Sequence, residues 1–307
     1  MKCPRLCELP PPPPGKTGWP WTEETSLAPD NPAESHARIS IVTPSFNSIH
    51  FLEETMRSVL LQGYPDLEYI VIDGGSTDGA VDIIRKYEKW ITYWVSEKDR
   101  GYADAVNKGF ARATGEIRAW LPASDLYFSS ALRTANHYLG EGQTDFIFGR
   151  FCELSEDGKV RAPAPVTAKN LRQMALYGRS NPVQPATFWR SVIHQQAGQL
   201  NSNLRYAADS EWFLRLSLIG RSRWVPETIC YMRQHAGQLS SNSARMLDEW
   251  FSAWDAVVRA HRISRTQILL GAAFIVPLMR YRSGGLKALF RIPDRQVLAK
   301  TIFRRSR

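Results

Sequence analysis

Between Ile39 and Asp78 the chain reads ISIVTPSFNSIHFLEETMRSVLLQGYPDLEYIVIDGGSTD, two short apolar runs that each end in a polar loop, with an amphipathic segment between them. Nothing else in the sequence restricts the fold as much. Arg38 to Val42 and Tyr69 to Ile72 are rich in Ile and Val and bounded by Pro, Gly and Asp, as expected of parallel strands buried on both faces. Phe51, Leu52, Thr55, Met56, Val59 and Leu60 recur at three-and-four spacing, with Glu53, Glu54 and Arg57 on the other side, which predicts a helix. A strand, helix, strand unit crosses over right-handed, so the loops after both strands share the sheet edge at which open α/β sheets bind ligands. Asp73 ends the second strand at that edge, and the unit predicts a nucleotide half-site.

The chain's 307 residues can hold one large α/β domain with additions, or two domains. Residues 1–37 are a Pro-rich lead, expected to be extended and draped over the domain, with Trp19 and Trp21 arguing against disorder. Helices are expected over Ala80 to Tyr87, Ala103 to Ala113 (stopped by Gly115), Ser129 to Leu139, and Ser210 to Ile219, the last introduced by Asp209. Strands are expected over Ile91 to Val95, Ile117 to Leu121 and Phe146 to Glu153. The strand at Ile117 delivers Pro122-Ala123-Ser124-Asp125 to the same edge as Asp73.

Charge is uneven. From Arg245 onward there are thirteen Lys and Arg against four Asp and Glu, a surplus equal to the +9 of the whole chain. That region also holds Ile268 to Met279 (ILLGAAFIVPLM), which is shorter than the roughly twenty residues a bilayer-spanning helix needs. Basic residues flanking apolar segments suit a helical surface lying on anionic lipid, and equally suit helices packed on the catalytic domain with a basic outer face. Nucleic acid is not expected, because no nucleic-acid motif accompanies the charge. Cys3, Cys7, Cys152 and Cys230 show no CxxC pairing, so free thiols in a reducing cytoplasm are expected. The polar N-terminus runs into Pro10 to Pro14 with no apolar segment of the secretory kind. The expected location is the cytoplasm, peripheral on the inner face of the plasma membrane if the basic region binds lipid.

The blocks IVTPSFN, VIDGGSTDG, SEKDRGYADAVNKGFARATGEIRAWL, the loop carrying Asp125, RYAADSEWFLRL and YMRQH, in that order, resemble the family 2 glycosyltransferases over roughly Arg38 to Ser240. The resemblance implies a GT-A fold, a Rossmann-like, mostly parallel sheet flanked by helices. It implies inverting transfer of a sugar from a nucleotide-diphosphate donor to a glycan or lipid-linked acceptor, of the hexosyltransferase kind found in bacterial cell-surface polysaccharide synthesis. The chain then divides into the lead (1–37), the GT-A domain (38–240) and a basic, amphipathic helical C-terminal region (241–307).

A nucleotide base needs an acceptor for its N–H and an apolar wall for its ring. Asp73 is the expected acceptor, with Pro44 and Phe46 as the wall; the plainer role for Asp73 is a turn cap, a duty for which Asp78 is better placed. Many relatives carry a second Asp at the position of Gly74. A divalent cation, Mn2+ or Mg2+, is the usual counter-charge to a leaving diphosphate. The resemblance assigns it to Asp125 and His235. Ser124 stands where relatives often carry another acid, keeps a hydroxyl for ribose or a metal-bound water, and predicts weaker metal affinity. Asp209 matches the family's general base, with Glu211 as fallback, and Trp189 and Trp212 offer flat faces for an acceptor sugar. Asp104, one helical turn from Lys108, suits a ribose or diphosphate contact or an i,i+4 ion pair. The alternative to an enzyme is a nucleotide-sugar-binding protein of the same fold, weakened in catalysis by Ser124.

Overall fold

The computed structural model describes residues 1–25, 36–162, 182–239 and 243–263. The expected strand, helix, strand unit is present as β1 (Ile39–Ser45), α1 (Leu52–Leu60) and β2 (Leu67–Asp73). It is followed by α2 (Ala80–Tyr87), β3 (Tyr93–Ser96), α3 (Tyr102–Phe110), β4 (Ile117–Trp120), β5 (Leu126–Tyr127) and α4 (Ala131–Gly140). Then come β6 (Phe146–Ser155), β7 (Val160–Arg161), β8 (Thr187–Arg190), α5 (Ser191–Ala197), α6 (Ala208–Ile219), β9 (Ser222–Gln234) and α7 (Ser243–Ala260).

Among the described residues the strands form one sheet in the order β3-β2-β1-β4-β8-β6-β9-β5, with β7 on β6. β1 pairs parallel with both β2 and β4, and β2 with β3. The chain therefore runs outward through β1, β2 and β3 and returns to the other side of β1. That reversal opens the crevice at the strands' carboxyl ends where such sheets take ligands. β8 joins antiparallel to β4 and β6. β5 pairs antiparallel with β9, bringing the segment after β4 against the end of β9. β1 extends past Pro44 to Ser45, beyond the expected end, because the proline closes no side of the parallel ladder that β1 shares with β2.

The core explains why these runs become strands and helices. Ile39, Ile41 and Val42 of β1, Tyr69 to Ile72 of β2, and Leu52, Met56, Val59 and Leu60 of α1 are all buried. α3 lies close on β1, since a Cβ on Gly109 would come within 2.4 Å of the Val42 side chain. Only glycine permits that approach.

The lead is tied down by one buried cation. The Arg57 guanidinium donates to the carbonyls of Pro10, Pro20 and Trp21 and to the Tyr87 hydroxyl, and stacks 5.3 Å from the Trp21 ring. Cys3, Leu9 and Trp21 are buried with it. At the other end of the chain, Trp250, Trp254, Val257 and Val258 of α7 bury against Ala207 and Leu214. The first part of the basic C-terminal region therefore packs on the domain. Ile268 to Met279 and the basic residues from Arg265 onward lie outside the described residues. Among the described residues no helix is long and apolar enough to cross a membrane.

Candidate active site

The loops after β1, β2 and β4 and the N-terminus of α3 meet at the carboxyl edge of the sheet. Phe46, just beyond β1, is 62% exposed there, and Pro44 beside it is half-buried. Asp73 is fully buried and accepts hydrogen bonds from the Gly75 amide (3.1 Å), the Ser76 amide (2.8 Å), the Ser76 hydroxyl (2.5 Å) and the Ser96 hydroxyl (2.7 Å). Three of these donors fall on Oδ2 and one on Oδ1, so the carboxylate folds the Gly74–Ser76 turn while Oδ1 keeps acceptor capacity. The expectation that Asp73 receives the base therefore rests on Oδ1 alone. Asp78 ties the same floor together through the amides of Ile49 and Ala80, and Asn47 accepts from the Thr77 amide.

The carboxylate that faces this turn is Asp99, which sequence reading passed over. A Cβ on Gly74 would lie 2.6 Å from Asp99 Oδ2 and 3.3 Å from Phe46. Gly74 thus leaves the space the Asp99 carboxylate occupies, and a side chain at position 74 would require Asp99 to turn aside. Asp99 Oδ1 accepts from the Gly101 amide at 2.8 Å. Burial raises its carboxyl above the usual range, partly offset by that amide and by Lys108. The signal was the DRG following a strand, in which an acid is folded back onto a glycine amide.

Asp104, in the first turn of α3, is engaged by Arg100. Its oxygens take Arg100 Nη2 (3.0 Å) and the Arg100 amide (3.2 Å), with Lys108 at 3.9 Å. Arg100 holds its carboxyl below the usual value, while Lys108 pairs more closely with Glu97, at 2.8 Å, than with Asp104.

In the β4 loop, Asp125 is only 5% exposed. Oδ1 accepts the Arg233 amide at 2.8 Å, while among the described residues Oδ2 takes no hydrogen bond. Burial pushes this carboxyl up to about 7. The Arg233 side chain donates to the Ser124 carbonyl (2.9 Å) and to Glu54 (2.8 Å), and lies 4.9 Å from the Phe51 ring. His235 packs on that ring at 5.1 Å, and burial lowers its imidazole below the usual value, keeping it neutral. No hydrogen bond or ion pair joins Asp125 to His235; both flank Arg233. A free carboxylate oxygen and a neutral imidazole are suitable donors for an open divalent-cation site completed by diphosphate oxygens. Among the described residues no group of three His, Cys, Asp or Glu could close such a site by itself.

Asp209 is the second residue of α6, not its cap; the cap is Ala207. Oδ1 accepts the Ser210 amide at 2.6 Å, and the Asp209 amide donates to the Tyr102 hydroxyl at 3.1 Å. Tyr102 begins α3, so this bond places Asp209 at the ligand edge. Burial raises the Asp209 carboxyl, tempered by the Ser210 amide and the Tyr102 hydroxyl.

The two tryptophans expected at an acceptor sugar, and Glu211, expected as fallback base and acceptor contact, are all buried. Trp189 and Trp212 are fully buried. β8 lies inside the sheet, and both rings pack with Trp120 (5.3 and 5.7 Å) and with each other (4.8 Å). The Trp212 indole N–H donates to the Gly198 carbonyl. Glu211, the fallback base, is buried and clamped by Arg215 through two 2.8 Å bonds.

A family model described as glycosyl transferase family 2 matches residues 40–194, half of the chain, and the chain belongs to that family. An uncharacterized glycosyltransferase of Mycobacterium tuberculosis (strain H37Rv) is 31% identical over 185 residues, covering 59% of this chain and 69% of its own. The putative teichuronic acid biosynthesis glycosyltransferase TuaG of Bacillus subtilis is 27% identical over 238 residues, 74% of this chain and 91% of its own. Among solved structures, S. aureus TarS 1-349 in complex with UDP-GlcNAc aligns with a TM-score of 0.63 at 16% identity, over 84% of this chain and 77% of that one. The mannosyltransferase PcManGT of Pyrobaculum calidifontis, in complex with GDP-Man and Mn2+, aligns at 0.58 and 20% identity, over 91% and 83%. The fold is GT-A, and the protein is a glycosyltransferase.

Proposed function

We propose that the protein transfers a sugar, with inversion, from a nucleotide-diphosphate donor to a hydroxyl of a glycan or lipid-linked acceptor in cell-surface polysaccharide synthesis, with Asp209 as general base. The observation that carries this is the position of Asp209, a carboxyl of raised affinity for protons tied by Tyr102 to the edge where the donor loops converge. A base accepts a proton best when its affinity is raised toward the working pH. Asp209 takes the acceptor hydroxyl's proton as that oxygen bonds the anomeric carbon and the bond to the diphosphate breaks on the opposite face. Phe46 and Pro44 form the wall for the base ring, Asp99 accepts from the base edge, and Ser124 hydrogen-bonds the ribose. Asp125 and His235 would hold a divalent cation, whose charge offsets that developing on the leaving diphosphate. Complexes of the two fold neighbours with UDP-GlcNAc and with GDP-Man and Mn2+ support this donor class, and the name of the B. subtilis relative supports a surface polysaccharide.

Ser124 favours a second reading, donor binding without turnover. Release of nucleotide from UDP, GDP and dTDP sugars, with plausible acceptors and with or without Mn2+ or Mg2+, separates the two. Turnover of one donor class, enhanced by metal, is expected. Saturable binding with no release from any donor would overturn the enzymatic reading.

A further inference from the structure

Glu249 of α7 lies outside every block that carries the family resemblance, and its side chain reaches the segment in front of α6. Oε1 accepts the Arg205 amide at 2.8 Å, and Oε2 accepts the amides of Tyr206 (2.5 Å) and Ala207 (2.7 Å). Amides at the start of a helix have no partners inside it, and a carboxylate there also interacts favourably with the helix dipole. The helix that Glu249 serves is the one carrying Asp209. An Asp in a first turn would ordinarily be drawn to such amides itself. Asp209 takes the first-turn amide of its neighbour Ser210, and Tyr102 from α3 holds both the Asp209 amide and its carboxyl. The α6 start is thus gripped from two sides, by α3 and by α7. α7 is in turn fixed by Trp250, Trp254, Val257 and Val258 packed against Leu214 and Ala207.

We propose that Glu249 is a positioning residue for the general base: by holding the amides of residues 205–207 it fixes the segment that leads into Asp209, and so the place from which that carboxyl meets the acceptor hydroxyl. This rests on Asp209 being the base. Without Glu249 the amides of 205–207 lose their shared acceptor, and a shift of that segment carries the first turn of α6, and Asp209 with it, away from the acceptor. The donor edge, built from the loops after β1, β2 and β4, is untouched by the change.

The test is steady-state kinetics on the full chain for Glu249→Ala, Glu249→Asp, Val258→Ala and Asp209→Asn, with a thermal midpoint and a nucleotide Kd for each. Glu249→Ala is expected to lower kcat on the order of ten- to a hundredfold, the usual effect of losing a group that orients a functional residue, with donor KM and nucleotide Kd unchanged. Glu249→Asp, which keeps the charge, should recover part of the loss. Val258→Ala thins the α6–α7 contact without touching the cap, and should lower the midpoint while leaving kcat alone. A folded Glu249→Ala protein with kcat within twofold of wild type, alongside an inactive Asp209→Asn, would overturn the positioning role alone. So would a kcat that falls in step with the midpoint in both Glu249→Ala and Val258→Ala. Wild-type turnover by Asp209→Asn would remove the base assignment and the positioning role with it.

Discussion

Two aspartates at the sheet edge differ in how far the protein has already engaged them. Asp73 ends β2, and its oxygens take four donors from Gly75, Ser76 and Ser96. Asp99 lies in the loop after β3 and faces Phe46 across Gly74. If Asp99 accepts from the base, Asp99→Asn weakens nucleotide binding by about 1.5–3 kcal/mol, the range for hydrogen bonds to charged groups, with little change in thermal midpoint. Calorimetric titration checks this, and an unchanged Kd would remove Asp99 from the base site. The sequence alone could not rank the two, because each is an acid in a glycine-containing turn at the end of a strand. What separates them is how many protein donors each has already collected, and for Asp73 that depends on Ser96, which comes from the end of β3.

At the scale of elements, periodicity identified most strands and helices but not how deep each one lies. α2 spans the expected Ala80–Tyr87, and α6 the expected helix to within two residues. Trp189 and Trp212 were legible as aromatic, and an indole looks the same in sequence whether it meets a sugar or a core. Insertion of β8 between β4 and β6 decides the matter, and it depends on pairings far apart in the chain. Trp189→Ala should therefore cost about 3–5 kcal/mol of stability, as loss of a buried aromatic does, measured by chemical denaturation. A stable variant with a raised acceptor KM would return Trp189 to the binding surface. Glu211 follows the same logic: its i,i+4 partner Arg215 was visible in the sequence as a spacing, but the burial that locks the pair was not.

Taken whole, the molecule is a GT-A domain with its lead folded onto it through Arg57 and with α7 closing against α6. The basic surplus of the chain lies beyond residue 263, where ten Lys and Arg stand against one Asp. We propose that this region binds anionic lipid, so that deleting the chain after Arg265 reduces co-sedimentation with anionic vesicles while leaving donor turnover intact. Unchanged sedimentation would contradict it. Family membership was readable at this scale because the motif blocks keep their order. The support that α7 gives to the start of α6 was not, since nothing local to Glu249 announces the amides it meets.

The role of Asp209 as general base is read most directly from kcat of Asp209→Asn beside its nucleotide Kd, with the wild-type kcat followed against pH. Transfer should fall by a factor of about a hundred or more, the usual share of general base catalysis, with nucleotide Kd unchanged. Because burial raises the Asp209 carboxyl, the protonated, inactive form persists to higher pH, and the acid limb of wild-type kcat should lie above the ordinary Asp value of about 3.9. Transfer by Asp209→Asn at the wild-type rate, with the same acid limb, would contradict the account.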